Sequence, residues 1–354
     1  MLNGIYPPLP TPFHDDGSLA LDGLRVNVER LNATGLSGYV ALGSNSEAVH
    51  VSPDEASQVF AIVRKAAASD KQVIGGTGQF STHATIAMTK RAADAGCDAA
   101  LIVTPFYYKN SMTGDALKKH YFTIADQSPI PVMIYNVPAN TGFNLASSIV
   151  AEIAQHPNVI GIKDSAGDIN QLAETVRLTM TRSKHSAQRA PDAERRTGRE
   201  RSEAESTPGG PPPQSGGHGQ SAAHPLTSTS LRSASALDAS GFEVLSGNYG
   251  AFLPGLAFGI VGAILAVSNI APNECVIIHD LFKQGRMNEA GELHLRMLPV
   301  ARAVTVQFGV PGLKVAMDML GYFGGLPRLP LLPLGASARV ELEMILREAE
   351  LLTN

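Results

Sequence analysis

The sequence predicts a TIM (β/α)8 barrel that carries a C-terminal helical extension. Short apolar runs alternate with helix-like segments along most of the 354 residues, which is the rhythm of βα repeats. Eight such runs are present, the number that closes a barrel. A doubly wound sheet is the structural alternative, but it needs a phosphate-binding glycine loop, and Gly75-Gly76-Thr77-Gly78 does not match G-x-G-x-x-G.

The predicted strands are short and apolar, and residues typical of turns or helix caps separate them from the helices. In chain order they are Gly4–Pro8, Gly38–Gly43, Gln72–Gly76, Ala99–Thr104, Pro131–Tyr135, Val159–Lys163, Phe242–Ser246 and Ile260–Val267. The helices between them are predicted at Asp22–Thr34, Pro53–Ala68, Thr82–Ala95, Thr113–Asp126, Leu145–Gln155, Asp168–Thr181 and Phe252–Phe258. Ser52 is the expected N-cap of the second helix, since proline follows it.

Composition divides the chain into four parts. Residues 1–181 hold the first six strands, 240–270 hold strands seven and eight, and 271–354 hold further helical segments. Residues 182–239 are rich in Ser, Gly, Pro, Arg and Glu and contain almost no large apolar side chains. Such a segment cannot bury enough surface to fold. We therefore expect a disordered insert between helix six and strand seven, on the face opposite the active site.

The composition excludes several kinds of partner and site. A formal net charge of −4 gives no reason to expect nucleic acid or an anionic membrane. Cys97 and Cys275 form no disulfide framework, which indicates a reducing compartment. The most apolar stretch, 251–271, is interrupted by proline and glycine, so it predicts no membrane span. No presequence is visible, and we expect a cytoplasmic protein. The ten histidines lack paired-ligand spacing, so no metal site is predicted.

The strand that ends at Lys163 suggests the chemistry. Val159, Gly161 and Lys163 alternate onto one face of this predicted buried strand. A lysine on an inward face is costly unless it pairs or loses its proton, and a neutral amine attacks carbonyls to form Schiff bases. The alternative is a lysine that pairs with Asp164 or extends into solvent at the strand end.

Further polar residues stand at the carboxyl ends of predicted strands, where a barrel places its active site. Tyr135 ends the strand before Lys163, and a phenol beside an amine can transfer the protons that imine formation requires. Ser44 and Asn45 could donate hydrogen bonds to a carboxylate, and Tyr107 follows strand four. Taken singly, the tyrosines could be structural aromatics, and Ser44 and Asn45 could be turn residues.

Together these motifs resemble the dihydrodipicolinate synthase / N-acetylneuraminate lyase family of pyruvate-dependent class I aldolases. The motifs that carry the resemblance are Gly43–Glu47, Val103–Tyr108, Tyr135–Pro138, Gly161–Ser165, Ser246–Asn248 and Gly309–Lys314. The resemblance covers about 1–181 and 241–332. It implies a Schiff base between Lys163 and a small 2-keto acid, with no metal or organic cofactor.

The resemblance also implies roles for the other rim residues. Tyr135 would transfer protons, and Ser44 and Asn45 would hold the pyruvate carboxylate. Tyr107 would complete a proton relay across a subunit contact, in a homo-oligomer that is a dimer or a tetramer. Ile264, in strand eight, matches a position whose backbone faces the site.

Within the family, the sequence is most similar to 4-hydroxy-2-oxoglutarate aldolases, which carry Lys-Asp-Ser at the Schiff-base position. In dihydrodipicolinate synthases, an arginine two residues after the Tyr-Asn-Val-Pro motif binds the carboxylate of the aldehyde substrate. Asn140 stands there in this chain, and a neutral amide cannot replace a bidentate cation. The resemblance therefore implies a carbon–carbon lyase that cleaves 4-hydroxy-2-oxoglutarate to pyruvate and glyoxylate. For that reaction we expect Ser165 to contact the acceptor end of the substrate.

Other functions stay open on the sequence alone. An aldolase for a 2-keto-3-deoxy sugar acid would give pyruvate and glyceraldehyde from the same lysine. A catalytically inactive barrel could bind a keto acid, and the 182–239 insert could make the chain a scaffold. Members similar to this chain can be mitochondrial, which is the alternative compartment.

Overall fold

The structure, a computed structural model, describes residues 2–180 and 241–352. The predicted insert, 182–239, lies outside the described residues, and the four-part division stays a prediction. The described residues form one sheet of eight parallel strands. The strands are β1 (Gly4–Tyr6), β2 (Gly38–Ala41), β3 (Gln72–Gly76), β4 (Ala99–Val103), β5 (Val132–Asn136), β6 (Val159–Asp164), β7 (Glu243–Ser246) and β8 (Gly262–Ile264).

The sheet closes into a barrel between its first and second strands. Neighbouring strands pair in the order β1-β8-β7-β6-β5-β4-β3-β2. Because Pro7 and Pro8 have no backbone N–H, the ladder of β1 stops at Tyr6. Closure instead uses a parallel bridge between Pro8 and Val40, in which the Val40 N–H donates to the Pro7 carbonyl at 2.9 Å. The predicted TIM barrel is confirmed.

Helices follow the strands and continue beyond the barrel. They are α1 (Leu21–Leu31), α2 (Pro53–Ala66), α3 (Thr82–Asp94), α4 (Gly114–Gln127), α5 (Ser147–Ile153), α6 (169–180), α7 (Phe252–Phe258), α8 (Pro272–Lys283), α9 (Met287–Arg302), α10 (Gly309–Met319) and α11 (Ala336–Glu348). The predicted cap of α2 is confirmed as a capping box, in which Ser52 and Glu55 satisfy each other's backbone N–H groups. No helix in the described ranges is long and apolar enough to cross a membrane.

Several predicted boundaries differ from the structure, among them that of β8. In the C-terminal extension, α9 ends at Arg302 and widens into a π-helical turn, in which the Phe308 N–H donates to the Ala303 carbonyl at 2.9 Å. Strand β8 is shorter than predicted. The chain turns after Leu265, and the Ser268 hydroxyl donates to its carbonyl at 2.6 Å.

Apolar residues form one layer inside the barrel and another between the strands and the helices. The inner layer contains Leu2, Tyr6, Val40, Ile74, Ala99, Leu101, Met133, Tyr135, Val137, Ile160, Leu245 and Ile264. The predicted alternation of β6 is wrong at its start, because Val159 packs in the outer layer and Ile160 in the inner one. The β5–β6 register shifts between Val132 and Met133, and this irregularity changes which residue faces inward.

Candidate active site

Lys163 lies at the carboxyl end of β6, inside the barrel. It pairs in parallel register with Tyr135 on β5, and its Nζ lies 4.1 Å from the centroid of the Tyr135 ring. Lys163 is only 2% exposed. A lysine ammonium over an aromatic face is attracted by the negative charge of that face, which offsets part of the cost of its desolvation. The two neighbouring strands thus bring an amine and a phenol together.

Asp164, the next residue, faces away from Lys163. Its carboxylate accepts a hydrogen bond from the Ala166 N–H at 2.8 Å, and from the Asn136 and Gln171 side-chain amides at 3.3 Å each. Burial raises the pKa of the Asp164 carboxyl. The alternative in which Lys163 pairs with Asp164 is therefore wrong. The alternative in which Lys163 extends into solvent is also wrong, because Lys163 is buried.

The hydroxyl of Tyr135 lies among the polar groups of the site. It lies 3.2 Å from Ser44 Oγ, and the side chains of Lys163 and Ser165 lie nearby. Burial alone would raise the pKa of Tyr135, but the positive charge of the Lys163 ammonium and the polar groups of Ser44, Lys163 and Ser165 bring it below its ordinary value. A phenol with a lowered pKa can accept and return protons more readily, which suits a general acid–base.

The β2 exit loop carries Ser44 to Tyr135. Ser44–Ser46 form a 3-10 turn, and the half-buried Asn45 lies within it. The Ser46 hydroxyl donates to the Leu9 carbonyl, which ties the turn to the segment after β1. The turn leaves the Ser44 hydroxyl facing the barrel axis. Ser44 and Asn45 therefore present short polar groups at the same rim as Lys163.

A cavity of about 410 Å³ opens over this rim. Its polar lining includes Ser44, Tyr135 and Asn140, and its apolar lining includes Phe80 and Phe106. Lys163, Asn45, Ser165 and Ile264 do not line it, but Lys163 touches the ring of Tyr135 that forms its inner wall. The cavity is large enough for a small dicarboxylic keto acid.

Gly247, after β7, leaves room for the side chains of Lys163 and Ser165. A Cβ built at Gly247 would overlap Ser165 Oγ and lie 2.9 Å from Lys163 Cε. The sequence placed Gly247 at the rim without a role for it. The structure shows that a glycine is needed there because the lysine stem passes beside the backbone.

We expect Gly247→Ala to lower kcat/KM by about 100-fold, because a displacement of the nucleophile by an ångström has that effect. Steady-state kinetics would measure this, and circular dichroism would confirm that the barrel remains folded. Gly250→Ala is the matched control, since a Cβ there meets only Asn248 Oδ1, at 3.3 Å. Equal activity in the two variants would contradict the prediction.

Two predicted site residues form no hydrogen bond with the Tyr135 hydroxyl. Tyr107 is 72% exposed, and its ring makes an edge contact with Phe80, at 6.4 Å between centroids. Ile264 is buried, and its side chain belongs to the same layer inside the barrel as Tyr6 and Tyr135. The roles of Tyr107 and Ile264 stay predictions.

Sequence reasoning assigned no role to Lys109, which lies near the mouth of the cavity. A Cβ built at Gly142 would lie 2.5 Å from Lys109 Nζ, so the lysine folds over the turn that contains Asn140 and Thr141. Asn140 and Thr141 both line the cavity. The available signal was a lysine two residues after Tyr107, but the sequence does not show that its side chain reaches the next rim loop.

Metal ligands are not clustered at this site. Across residues 2–180 and 241–352, no group of three or more His, Cys, Asp or Glu side chains could hold a metal ion. His120 is buried, which lowers its pKa to about 4, and its Nδ1 lies 2.9 Å from Thr82 Oγ1 between α3 and α4. The expectation that catalysis uses no cofactor stays a prediction.

The family model described as the Dihydrodipicolinate synthetase family matches residues 1–185 and 228–349. The chain belongs to this family. A 4-hydroxy-tetrahydrodipicolinate synthase of Methanothrix thermoacetophila is 33% identical over 353 residues, covering 100% of this chain and 99% of that protein. A protein of the same name from Exiguobacterium sp. is 30% identical over 342 residues, covering 97% of this chain and 96% of that protein.

Solved structures agree with the family assignment. The dihydrodipicolinate synthase of Thermotoga maritima has a TM-score of 0.78 and 27% identity, covering 99% of this chain and 100% of that one. A structure described as the first monomeric dihydrodipicolinate synthase variant has a TM-score of 0.78 and 26% identity, covering 99% of this chain and 98% of that one. The resemblance drawn from the motifs is therefore confirmed.

Family membership decides the class of reaction. This family member is a carbon–carbon lyase of the class I aldolase type, a pyruvate-dependent enzyme that works through a Schiff base. The alternative of a catalytically inactive barrel is set aside. The relatives reported above are named as dihydrodipicolinate or 4-hydroxy-tetrahydrodipicolinate synthases, so the narrower likeness to 4-hydroxy-2-oxoglutarate aldolases stays a prediction.

Proposed function

We propose that this enzyme cleaves 4-hydroxy-2-oxoglutarate to pyruvate and glyoxylate. The observation that carries the proposal is Asn140 in the wall of the cavity that Tyr135 and Ser44 share. A neutral amide leaves that wall without the bidentate cation that a larger aldehyde's carboxylate would need. Glyoxylate is small and carries its own carboxylate next to the reacting carbon.

The reaction begins at Lys163. Its amine attacks the 2-keto carbon, and Tyr135 delivers a proton to the carbinolamine oxygen so that water leaves and an iminium forms. Ser44 and Asn45 hold the neighbouring carboxylate by hydrogen bonds. The packing of Lys163 Nζ against the Tyr135 ring, 4.1 Å from its centroid, supports this assignment, since it holds the amine and the phenol in one buried site.

Bond cleavage follows from the iminium. The Tyr135 phenolate removes the proton of the C4 hydroxyl, and the C3–C4 electrons flow to the iminium nitrogen, which releases glyoxylate and leaves an enamine. Protonation at C3 and attack by water then release pyruvate and regenerate Lys163. Because the iminium is the electron sink, no step requires a metal or an organic cofactor. Ser165, whose side chain lowers the pKa of Tyr135, is assigned to the acceptor side.

Lys109 supports an acceptor that carries a negative charge. Its ammonium folds over Gly142, next to Asn140 and Thr141 at the cavity mouth. From there it can attract the distal carboxylate of the substrate, whereas an uncharged acceptor such as glyceraldehyde would gain nothing from it. This favours a dicarboxylate over a sugar-derived keto acid.

A second candidate is synthesis of 4-hydroxy-tetrahydrodipicolinate, the reaction named for the relatives. Its support is overall similarity across nearly the whole chain. Its acceptor also carries a carboxylate, so Lys109 alone does not separate the two reactions. Asn140 separates them, because it occupies the place of the arginine that binds the larger acceptor.

A condensation assay with pyruvate tests the acceptor. We expect kcat/KM for glyoxylate to exceed that for glyceraldehyde or aspartate semialdehyde at least tenfold. Lys109→Gln should lower the glyoxylate value about tenfold, since an exposed charge-assisted contact lies at the low end of its usual range, about 1.5 kcal/mol, and should leave glyceraldehyde unchanged. Lys119→Gln, on the exposed face of α4, is the matched control. A preference for aspartate semialdehyde would instead establish the second candidate.

An exposed aromatic surface supports assembly into a homo-oligomer. Val49, Phe80, Tyr107 and Tyr108 are 61–73% exposed beside the cavity mouth. Their burial against a second copy would remove apolar area from water and close the cavity rim. Such a contact would also bring Tyr107 toward the site of the neighbouring subunit. The bacterial and archaeal relatives support a cytoplasmic enzyme.

A further inference from the structure

Glu47 adopts a conformation that residues other than glycine seldom adopt. It follows the Ser44–Ser46 turn with φ of 56° and ψ of 39°, in the left-handed region. Its N–H donates to the Ser44 carbonyl at 3.2 Å, and its carbonyl accepts from the His50 N–H at 2.8 Å. A strained conformation of this kind persists only where surrounding contacts hold it. The side chain of Glu47 supplies those contacts.

The Glu47 carboxylate is buried and paired with Lys314. Its Oε1 lies 2.6 Å from Lys314 Nζ, and both side chains are 1% exposed. Its Oε2 accepts from the Arg328 N–H at 2.8 Å. Lys314 Nζ donates further to the Leu326 carbonyl at 2.7 Å and lies over the Phe13 ring at 4.7 Å from the centroid. Burial lowers the pKa of Lys314, and the hydrogen bond to Glu47 opposes that shift.

These contacts join the substrate-side turn to the C-terminal extension. Lys314 belongs to α10, and Leu326 and Arg328 belong to the segment after it. That segment also pairs with the loop after β1, since the Leu326 N–H donates to the Phe13 carbonyl at 3.1 Å. Three contacts connect the extension to the site. Lys314 pairs with Glu47, and the Glu47 N–H donates to the Ser44 carbonyl. The Ser44 hydroxyl in turn lies 3.2 Å from the Tyr135 hydroxyl.

We propose that Glu47 and Lys314 are positioning residues, and that their buried ion pair uses the C-terminal extension to hold Ser44 against Tyr135. The proposal rests on the proposed function, because Ser44 and Tyr135 act there on the substrate. Neither Glu47 nor Lys314 lines the cavity. They act through the geometry of the turn.

An ion pair suits this task better than apolar packing. Each charge is buried and can be satisfied in only one arrangement, so the pair fixes the position of Glu47 even though its net contribution to folding is small. An apolar side chain at position 47 would tolerate several orientations and would not oppose relaxation of the left-handed backbone. A relaxed backbone at Glu47 would move the Ser44 carbonyl and hydroxyl together.

The double variant Glu47→Gln/Lys314→Met tests the proposal. It removes both charges, so it leaves no unpaired buried ion, whereas Glu47→Gln alone strands Lys314 and is expected to unfold at a lower temperature. We expect the double variant to fold with a melting temperature near that of the wild type. Its kcat/KM should fall at least tenfold, and the acid limb of its pH profile, which reports the Tyr135 phenol, should move to higher pH because the hydrogen bond from Ser44 helps to lower that pKa.

A crystal structure of the double variant gives a readout that needs no activity. We expect Ser44 Oγ to move beyond hydrogen-bond distance of the Tyr135 hydroxyl. Glu343→Gln is the matched control, because Glu343 forms an exposed ion pair with Arg347 at 2.7 Å within α11 of the same C-terminal extension, away from Glu47 and Lys314. Its kinetics should equal those of the wild type.

The outcomes separate this proposal from the function on which it rests. A double variant that retains wild-type kcat/KM, pH profile and Ser44–Tyr135 distance overturns the positioning role. A wild-type enzyme that forms no borohydride-trapped pyruvate adduct contradicts the Schiff-base chemistry. In that case the crystal structure still decides whether the ion pair holds the turn.

Discussion

Lys163→Ala will abolish turnover while the barrel stays folded. Removing the amine removes the covalent intermediate, and we expect kcat/KM to fall by roughly 10⁴-fold or more, since binding and polar groups alone replace little of a nucleophile. Lys163 has no carboxylate partner among the described residues, so the variant loses packing of the lysine stem but also the cost of burying an amine. We therefore expect a melting temperature within a few degrees of the wild type.

The measurement combines kinetics with trapping. Incubation with pyruvate and borohydride should leave a reduced adduct on the peptide that contains Lys163 in the wild type, and none in the variant. Lys90→Ala, on the exposed face of α3, controls for the loss of a lysine and should keep full activity and the adduct. Turnover near the wild-type level in Lys163→Ala would show that another group performs the chemistry.

The fold could be predicted because its signals are local and repeated. Each predicted apolar run contains a strand, a helix follows each run, and the alternation alone limits the topology. The β6 face was mispredicted at Val159 because a register shift depends on how β5 and β6 meet. The alternation of apolar residues along a single strand does not show how that strand is aligned with its neighbour.

The site could be predicted where neighbouring strands supply its residues. Lys163 and Tyr135 end adjacent strands, so their contact follows from the barrel itself. The Glu47–Lys314 pair spans more than 260 positions of sequence, and only the packing of α10 against the rim brings the two charges together. The direction of the Lys109 side chain, and the close approach of Lys163 to the backbone of Gly247, also cannot be predicted without coordinates.

Tyr135→Phe will lower kcat by roughly 10²–10⁴-fold and change KM little. The substitution keeps the ring that packs against Lys163 and removes only the hydroxyl, so substrate binding should persist. The expected fall in kcat is the contribution of a general acid–base that acts in the transition state. Steady-state kinetics and borohydride trapping would check this, and the pyruvate adduct should form slowly but completely.

The pH dependence gives the sharper test of the same residue. The base in carbon–carbon cleavage is the Tyr135 phenolate, so kcat/KM should fall as the pH drops below the pKa of this phenol. Burial would raise that pKa, but the charge of Lys163, the hydrogen bond with Ser44 and the nearby Ser165 side chain hold it below the ordinary 10.0. The acid limb should therefore lie at lower pH than a free tyrosine would give. Ser44→Ala, which removes the hydrogen bond at 3.2 Å, should move the limb to higher pH, and Tyr135→Phe should lack it. An acid limb that persists unchanged in Tyr135→Phe would assign the proton transfer to another group.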